Sequence, residues 1–330
     1  RPDETINDFV VTKEGLFFTT VKNGVEAKLF QVTDQTEKRI KVPKVSGQIA
    51  ISAKGKEDPN VMVSIKGWSS NYRNYLYHTY SNTYSSIDLV KKVDYPEFEN
   101  IIIKEILVTS HDGEEVPLSI IYDKNIKKDG TNPTLFFGYG SYGISIAPFY
   151  SSPFLTWIKN GGIICVAHVR GGGEKGDAWH KAGFKATKLN TWKDLIACTE
   201  YMIREGYTSN KHTAVYSASA GGVMVGRAIT ERPDLFATAI CKACFLNQNR
   251  RESKFGLSSS NTKEFGSIKD SIEFKNLYKM DPYEHIESNV KYPAFLSLVG
   301  MNDTRVPPWM SSKFTAKMQA YNQSNNPVLL

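Results

Sequence analysis

The stretch that decides the fold of this chain is Val215-Tyr216-Ser217-Ala218-Ser219-Ala220-Gly221-Gly222, in which a strand pattern passes directly into a helix pattern. The residues that flank Ser219 are all small, as a sharp strand-to-helix turn requires where the helix packs closely on the sheet. Such a turn raises a serine hydroxyl above the edge of a parallel sheet, where a substrate reaches it. The stretch therefore predicts Ser219 as a nucleophile.

Two other interpretations of this stretch stay open on the sequence alone. The usual nucleophile pattern is G-x-S-x-G, and Ser217 stands here at the position of the first glycine. Ser217 is then a second candidate nucleophile, although only Ser219 has a glycine two residues downstream. Ser219 is alternatively the N-cap of a helix, a role that serine commonly fills.

From about residue 101 onward, strand patterns alternate with helix patterns on both sides of this turn. A hairpin opens the region, with strands Ile101–Ser110 and Val116–Tyr122. The strands that follow are Thr134–Phe137, Gly162–Ala167, Thr213–Tyr216, Phe236–Ala243 and Ala294–Val299, and the helices are Ser152–Lys159, Thr191–Glu205, Ala220–Glu231 and Trp309–Tyr321. Such alternation predicts an α/β fold with a doubly wound, mostly parallel sheet covered on both faces.

Residues 1 to about 105 have a different character. Short apolar or β-branched stretches alternate with turn residues, at Asp8–Val11, Gly15–Val21, Ala27–Val32 and Asn60–Ile65. Many short strands joined by tight turns are typical of a sandwich, a barrel or a propeller, and the pattern does not choose among them. We therefore expect two domains, residues 1–105 and residues 106–330.

A candidate acid follows the last of the long predicted strands, in Gly300-Met301-Asn302-Asp303-Thr304-Arg305-Val306-Pro307. When a serine sits at a strand-to-helix turn, the acid of its triad lies in a loop after a later strand. Asp303 has that position, and its carboxylate would orient an imidazole and stabilise the imidazolium. An ordinary Asx turn is the alternative interpretation, because Asn-Asp before Thr is good turn chemistry.

Alternating glycines and tyrosines end an earlier strand, in Phe136-Phe137-Gly138-Tyr139-Gly140-Ser141-Tyr142-Gly143. A tyrosine hydroxyl at that edge would donate to a developing oxyanion, with the backbone N–H of Ala220 as the second donor. A glycine-rich turn with packed tyrosines explains the stretch equally well. A second glycine-rich loop, His168–Gly176, lacks phosphate-loop spacing, and we expect Arg170 and Glu174 to hold it beside the same edge.

Composition excludes several classes of protein. The chain has 41 Lys and Arg against 34 Asp and Glu, a net charge of +7, and basic pairs such as Arg250-Arg251 are interpreted as solvated surface. The charges are spread out, which argues against nucleic-acid binding, and no apolar run reaches the roughly 18 residues of a membrane span. Cys241 and Cys244 lack a second ligand pair at zinc spacing, so they are expected to be core thiols. No metal and no cofactor are expected.

Taken together, these segments resemble the prolyl oligopeptidase family of serine peptidases. The matching stretches are F-G-Y-G-S-Y-G, H-V-R-G-G-G-E-K-G, E-Y-M-I-R-E-G-Y-T-S, S-A-S-A-G-G, E-R-P-D-L-F and G-M-N-D-T-R-V-P. The resemblance implies an α/β-hydrolase fold preceded by the last blades of a β-propeller. It also implies hydrolysis of internal bonds in short peptides, and cleavage after proline is one of the specificities that it leaves open.

The resemblance assigns roles by position. Ser219 matches the nucleophile and Asp303 the triad acid. The hydroxyl of Tyr139 and the backbone N–H of Ala220 match the oxyanion hole. The positions that match substrate-binding residues are Arg305, which would bind a backbone carbonyl, and Tyr142 and Val306, which would line the specificity pocket.

Three departures from the family pattern qualify these expectations. Ser217 replaces a glycine, and Ser258–Phe265 contains no tryptophan, whereas proline-specific members carry one near the position of Asn261. In addition, no histidine follows Asp303, since the six present are His78, His111, His168, His180, His212 and His285. We therefore expect a chain truncated at both ends, with its catalytic histidine beyond residue 330, and nearly inactive alone.

The remaining expectations concern context. A short peptide is the expected partner, and the protein is expected to be a monomer or a weak oligomer. Its compartment is open, cytoplasmic or periplasmic. Two alternative functions stay under consideration, a related esterase or acylaminoacyl hydrolase and a non-catalytic family member that acts as a binding scaffold.

Overall fold

The computed structural model describes residues 4–34, 36–44, 47–87, 98–254 and 259–330. Its first part consists of two antiparallel sheets, each with its strands in chain order. The first contains β1 (Glu4–Thr12), β2 (Gly15–Lys22), β3 (Glu26–Thr33) and β4 (Thr36–Ile40), and the second contains β5 (Gln48–Ser52), β6 (Val61–Lys66), β7 (Arg73–His78) and β8 (Thr83–Ser86).

Each of these sheets is a four-stranded meander, which is the form of a propeller blade. Buried and more exposed residues alternate along β6, where Val61, Val63 and Ile65 are buried. They belong to one core with Phe17 and Tyr77, a core whose buried members all come from residues 17–77. The two meanders therefore pack against each other and share a core of their own.

The second part is built on an eight-stranded mixed sheet. Its strands are β9 (Ile101–Thr109), β10 (Glu115–Asp123), β11 (Thr134–Phe137), β12 (Ile163–Ala167), β13 (Thr213–Ala218), β14 (Thr238–Lys242), β15 (Ala294–Leu298) and β16 (Val328–Leu329), in the order β9-β10-β12-β11-β13-β14-β15-β16. The pairs β9–β10 and β10–β12 are antiparallel and the others are parallel. The predicted boundary after residue 105 falls inside β9, all of whose residues pair with β10.

Helices cover both faces of this sheet. They are α1 (Ser152–Lys159), α2 (Asp177–Lys181), α3 (Leu189–Arg204), α4 (Gly222–Glu231), α5 (Arg251–Lys254), α6 (Ser259–Phe265), α7 (Ser271–Met280) and α8 (Pro308–Tyr321). Strand β12 is buried along its whole length, with Ile163, Cys165 and Ala167 in the core beneath α3 and α4. Ile164 and Val166 point to the opposite face, where they pack with Leu155 and Ile158 of α1. The predicted doubly covered sheet is confirmed.

A third group of buried side chains joins the two parts. Trp68, from the loop after β6, packs with residues of α1, β10 and β12 in a cluster that we call the Trp68 cluster: Trp68, Ile121, Leu155, Ile158, Ile164 and Val166. The indole is 5% exposed, and its Nε1 donates a hydrogen bond of 3.1 Å to Oε1 of Glu105. The N-terminal sheets are therefore anchored to the mixed sheet by an apolar contact with one polar link.

Two other features of the described chain bear on the expectations above. Cys241 and Cys244 are buried free thiols, as predicted for core residues. No helix of the described residues combines the length and the apolar character needed to cross a bilayer.

Candidate active site

Ser219 lies at the corner between β13 and α4. The strand ends at Ala218, a short 3-10 turn covers Ser219–Gly221, and α4 begins at Gly222. Ser219 has φ of +53°, a left-handed conformation in which a residue with a side chain is strained. The predicted sharp turn is therefore present, and the half-buried serine projects from the carboxyl edge of the sheet.

The small residues around Ser219 are required by close contacts. A Cβ added to Gly221 would lie 2.0 Å from Oγ of Ser217, and one added to Gly222 would lie 2.5 Å from Cβ of Cys244. Ser217 itself is fully buried, and its hydroxyl donates a hydrogen bond of 2.6 Å to the carbonyl of Gly138. Ser217 therefore fastens the turn to the neighbouring loop and is not available as a nucleophile.

Ser219 opens into a pocket with a volume of about 700 Å³ at the carboxyl edge of the mixed sheet. The side chains that line it come from six loops or helices: Tyr139, Tyr142, Ile144, Ser219, Ala243, Phe245, Arg251, Ser260, Asn261, Asp303, Thr304, Arg305, Val306 and Pro307. Seven of the eight residues singled out from the sequence are in this lining, and the eighth, Ala220, is buried directly behind Ser219.

Asp303 lies in the loop after β15, two strands from Ser219 at the same edge of the sheet. Its Oδ1 accepts hydrogen bonds of 2.9 Å from the backbone N–H groups of Arg305 and Val306. The Asx turn is therefore present, and because Asp303 also lines the pocket, it does not exclude a role as the triad acid, which stays a prediction. Val306 is buried, whereas Arg305 is exposed.

Tyr139 and Tyr142 follow β11 and form another wall. Burial raises the pKa of Tyr139, and the nearby Ser219 hydroxyl opposes that rise. Tyr142 has φ of +60°, and burial raises its pKa to about 12. Its hydroxyl donates to Oδ1 of Asn261, so two residues expected from the sequence to bind substrate are in contact.

A buried ionic group beneath these tyrosines was not apparent in the sequence. Glu264 is 3% exposed; its Oε1 accepts from the backbone N–H of Tyr142 at 2.8 Å, and its Oε2 lies 2.8 Å from Nε2 of His180. Lys188 is fully buried, with Nζ 3.9 Å from Oε1 of Glu264, and burial lowers its pKa to about 8. These residues come from α2, α6 and the start of α3, so no spacing in the sequence links them.

The second glycine-rich loop is held as predicted, by contacts away from the pocket. Arg170 is 3% exposed and forms ion pairs with Asp194 of α3 at 2.6 Å and with Asp112 at 2.5 Å. Oε1 of Glu174 accepts a hydrogen bond of 2.8 Å from the backbone N–H of Ile146. The loop is therefore tied to α3 and to the β9–β10 turn.

The interpretation of Arg250-Arg251 as solvated surface is wrong for Arg251. This side chain is only 4% exposed and lines the pocket, because α5 turns it inward over the ring of Phe245. Two adjacent basic residues carry no sequence signal that separates a surface pair from a buried cation.

Among the described residues, the pocket lining contains no histidine and no cluster of metal-ligating side chains. Within the described residues, none of the side chains that line the pocket is a histidine. Among the same residues, no group of three or more His, Cys, Asp or Glu side chains is placed to hold a metal ion.

Comparison with known proteins identifies relatives of this arrangement. A sequence profile of the prolyl oligopeptidase family matches residues 149–330, more than half of the chain. The chain is 38% identical to a prolyl endopeptidase of Elizabethkingia meningoseptica over 233 residues, which make up 70% of this chain and 33% of the relative. The chain thus spans about a third of the length of the curated relatives it matches.

Solved structures cover more of the chain. Prolyl oligopeptidase B from Galerina marginata, bound to a 35mer hydrolysis and macrocyclization substrate, matches with a TM-score of 0.93 and 25% identity over 100% of this chain and 46% of that one. Oligopeptidase B from Trypanosoma brucei with covalently bound antipain matches with a TM-score of 0.89 and 27% identity, over 100% and 48%. The two meanders are therefore part of a β-propeller, and the mixed sheet has the α/β-hydrolase fold.

Proposed function

The chain belongs to the prolyl oligopeptidase family of serine peptidases, and we propose that it carries most of an active centre that hydrolyses internal bonds of short peptides. The observation that supports this most directly is the position of Ser219, strained at a strand-to-helix corner in the pocket that Tyr139 and Asp303 also line. A strained residue at a functional site is maintained only when the surrounding structure enforces it.

The proposed reaction is acyl transfer in two stages. Oγ of Ser219 attacks the carbonyl carbon of the scissile bond, and its proton passes to a base. The bond to the leaving amine then breaks as the amine takes that proton, which leaves an acyl-enzyme. Water repeats the sequence on the ester and regenerates the serine.

The charge that develops on the carbonyl oxygen requires donors placed in advance. The hydroxyl of Tyr139 and the backbone N–H of Ala220 are the proposed donors, on either side of Ser219. Burial favours the protonated, donating form of Tyr139, since it raises the pKa of this phenol. Loss of one donor of this kind typically lowers the rate by about 10²–10³.

The proposed base is a histidine oriented by Asp303, as in other serine triads. Because no histidine lines the pocket within the described residues, we propose that none of the six in these 330 residues fills this role. Residues 1–330 alone are then expected to hydrolyse peptides slowly at most, whereas the intact protein is expected to be active.

The substrate would lie along the walls already described. Arg305, exposed at the rim, is the proposed ligand of a substrate backbone carbonyl. Tyr142, Val306 and Asn261 are the proposed walls of the pocket for the residue on the acyl side of the scissile bond. The propeller would restrict access to short peptides, and the expected monomeric or weakly associated state stays a prediction.

The test is covalent labelling of the intact native protein with a fluorophosphonate. Label is expected on Ser219, and Ser219→Ala should abolish it and lower turnover of a short peptide amide by about 10⁴–10⁶. Ser217→Ala is the matched control, since it removes a neighbouring buried hydroxyl and should leave labelling in place.

Three results would contradict the proposal. Labelling that survives Ser219→Ala would show that another residue is the nucleophile. Turnover of a simple aryl ester without turnover of any peptide amide would favour the related esterase instead, and no labelling at all would favour a non-catalytic binding protein.

A further inference from the structure

Arg251 places a positive charge in the wall of the pocket. Its guanidinium lies over the ring of Phe245, with Cζ 3.5 Å from the ring centroid, and both residues line the pocket with Ser219. The side chain is 4% exposed. Its Nε and Nη1 are buried, and they make no hydrogen bond to any part of the chain that the structure describes.

Such a group is costly to bury without a partner. A desolvated cation is normally paired with an anion or fully hydrogen-bonded. Burial lowers the pKa of Arg251, and the phenols of Tyr142 and Tyr139 only partly oppose this effect. The free protein therefore holds a guanidinium with unused donors in the wall of the pocket that contains its proposed nucleophile.

The carboxylates around Arg251 have other partners. Glu252 accepts hydrogen bonds from the hydroxyl of Ser267 and the backbone N–H of Ile268. Glu264 is engaged with Tyr142 and His180, and Asp303 with the backbone of its own loop. No carboxylate of the described residues is hydrogen-bonded to Nε or Nη1 of Arg251.

We propose that Arg251 selects peptides with glutamate or aspartate on the acyl side of the scissile bond. This inference rests on the proposed function, because it assigns the substrate class to the same pocket. A substrate carboxylate would satisfy the unused N–H donors and neutralise the buried charge. Guanidinium groups suit this role, since their planar fork matches both oxygens of a carboxylate.

The surrounding residues favour an acidic side chain over proline. Phe245 fixes the plane of the guanidinium from one face, while Tyr142 and Asn261 present polar groups to the same pocket. An apolar proline ring would leave the donors of Arg251 unsatisfied and would bury them further. Rejection of substrates that cannot pair with a buried polar group is the stronger form of selectivity.

Binding to a non-cleaving variant tests the inference separately from catalysis. In the intact protein carrying Ser219→Ala, calorimetry would compare acetylated, amidated hexapeptides that differ only in having Glu, Gln or Pro at the selected position. The blocked ends remove any contribution from a terminal carboxylate. The Glu peptide is expected to bind about 10- to 100-fold more tightly than the Gln peptide, because only a charged partner pairs fully with the guanidinium.

Substitution of the cation provides the matched comparison. Added to Ser219→Ala, Arg251→Gln should abolish the preference for Glu over Gln, and Arg251→Lys should retain part of it. Arg305→Gln removes a cation from the rim of the same pocket and should weaken all three peptides by a similar factor. Should Arg251→Gln fail to fold, the order of the three peptides on Ser219→Ala alone still decides.

Equal binding of the Glu and Gln peptides, or tightest binding of the Pro peptide, would overturn the assignment of Arg251. Neither result would affect fluorophosphonate labelling of Ser219, which tests the proposed function. Conversely, absence of labelling together with an Arg251-dependent preference for Glu would refute hydrolysis and leave the acidic-peptide site standing.

Discussion

The propeller sheets and the mixed sheet bury their strands in different ways. Along β6 of the second propeller sheet, buried residues alternate with more exposed ones, whereas every residue of β12 in the mixed sheet is buried. A sheet covered on both faces leaves its carboxyl edge as the place where loops and helix starts converge. This difference explains why the described residues that line the pocket all follow strands or helices of the mixed sheet.

The two regions also have separate cores. One buried cluster comes from residues 17–77 and another from residues 108–328, and the Trp68 cluster is the group of buried side chains that joins them. Two regions with their own cores have independent stability, and their coupling depends on the contact between them. Substitution of Trp68 is therefore the most direct test of the coupling between the two regions.

The largest effect is expected from Trp68→Ala. It removes a 5% exposed indole from the shared cluster and leaves Glu105 without its 3.1 Å hydrogen bond from Nε1. Loss of a buried tryptophan typically costs about 3–5 kcal/mol. Urea unfolding of the intact protein should show this loss, and hydrogen exchange should show the propeller sheets opening apart from the mixed sheet.

Tyr80→Ala is the control, because this tyrosine of the same region is 70% exposed. It should change the free energy of unfolding by no more than about 0.5 kcal/mol, as is usual for surface substitutions. If Trp68→Ala still unfolded in a single transition with an unchanged midpoint, the two regions would have to be coupled elsewhere.

A smaller contrast is expected between two lysines at different pH. Lys188 in the hydrolase domain has a pKa lowered by burial to about 8 from its ordinary 10.5. The free-energy cost of burying the charged form of Lys188 is present in full below pH 8. It disappears as pH rises from 8 to 10.5, because in that range the lysine is protonated in the unfolded chain but neutral in the folded one. Relative to Lys188→Met, the wild type should therefore gain about 3 kcal/mol across this range.

Lys28 in the propeller should behave in the opposite way. Its Nζ lies 2.5 Å from Oε1 of Glu4, and that hydrogen bond raises the pKa of Lys28 above 10.5. The stabilisation from Lys28 is then fully present below pH 10.5 and is lost as pH rises through the raised pKa. Between pH 7.5 and pH 10, chemical unfolding should therefore show the wild type gaining stability relative to Lys188→Met but keeping a constant difference from Lys28→Met, because the contribution of Lys28 falls only above pH 10.5. Parallel changes in the two comparisons would refute the assignment.

The smallest contrast concerns two glycines. A Cβ at Gly221 would lie 2.0 Å from Oγ of Ser217, whereas nothing lies within 4 Å of one added at Gly55. Gly221→Ala should cost about 1–3 kcal/mol through overpacking, and Gly55→Ala should be close to neutral. Thermal unfolding measures the stability of both variants. A neutral Gly221→Ala would show that the turn at Ser219 is packed less tightly than the 2.0 Å contact indicates.

Most of the hydrolase sheet was predictable because its strands are continuous apolar runs. Thr134–Phe137 and Ser152–Lys159 match the observed β11 and α1 at both ends. Four propeller strands were not predicted, and β4, with the sequence TEKRI and four exposed residues in a row, shows why. Such an edge strand is specified by pairing with its neighbour rather than by its own pattern.

The residues of the site also differ in how far the sequence predicts them. Ser219, Asp303 and Tyr139 were predictable because each follows a strand, and the ends of parallel strands meet at one edge of the sheet. Glu264 and Arg251 were not, since their surroundings come from tertiary packing. The hydrogen bond from the backbone of Tyr142 to Glu264 spans 122 residues of sequence, and no local spacing indicates it.

The backbone of Ser219 has a consequence for how the chain tolerates change. At φ of +53° a glycine has no steric cost, whereas serine and alanine both have one because each carries a Cβ. In a related protein that no longer uses the hydroxyl, glycine at position 219 would therefore increase stability. Alanine at the same position would not, because it keeps the Cβ. The residue found there in a divergent copy thus reports whether that copy still uses its hydroxyl.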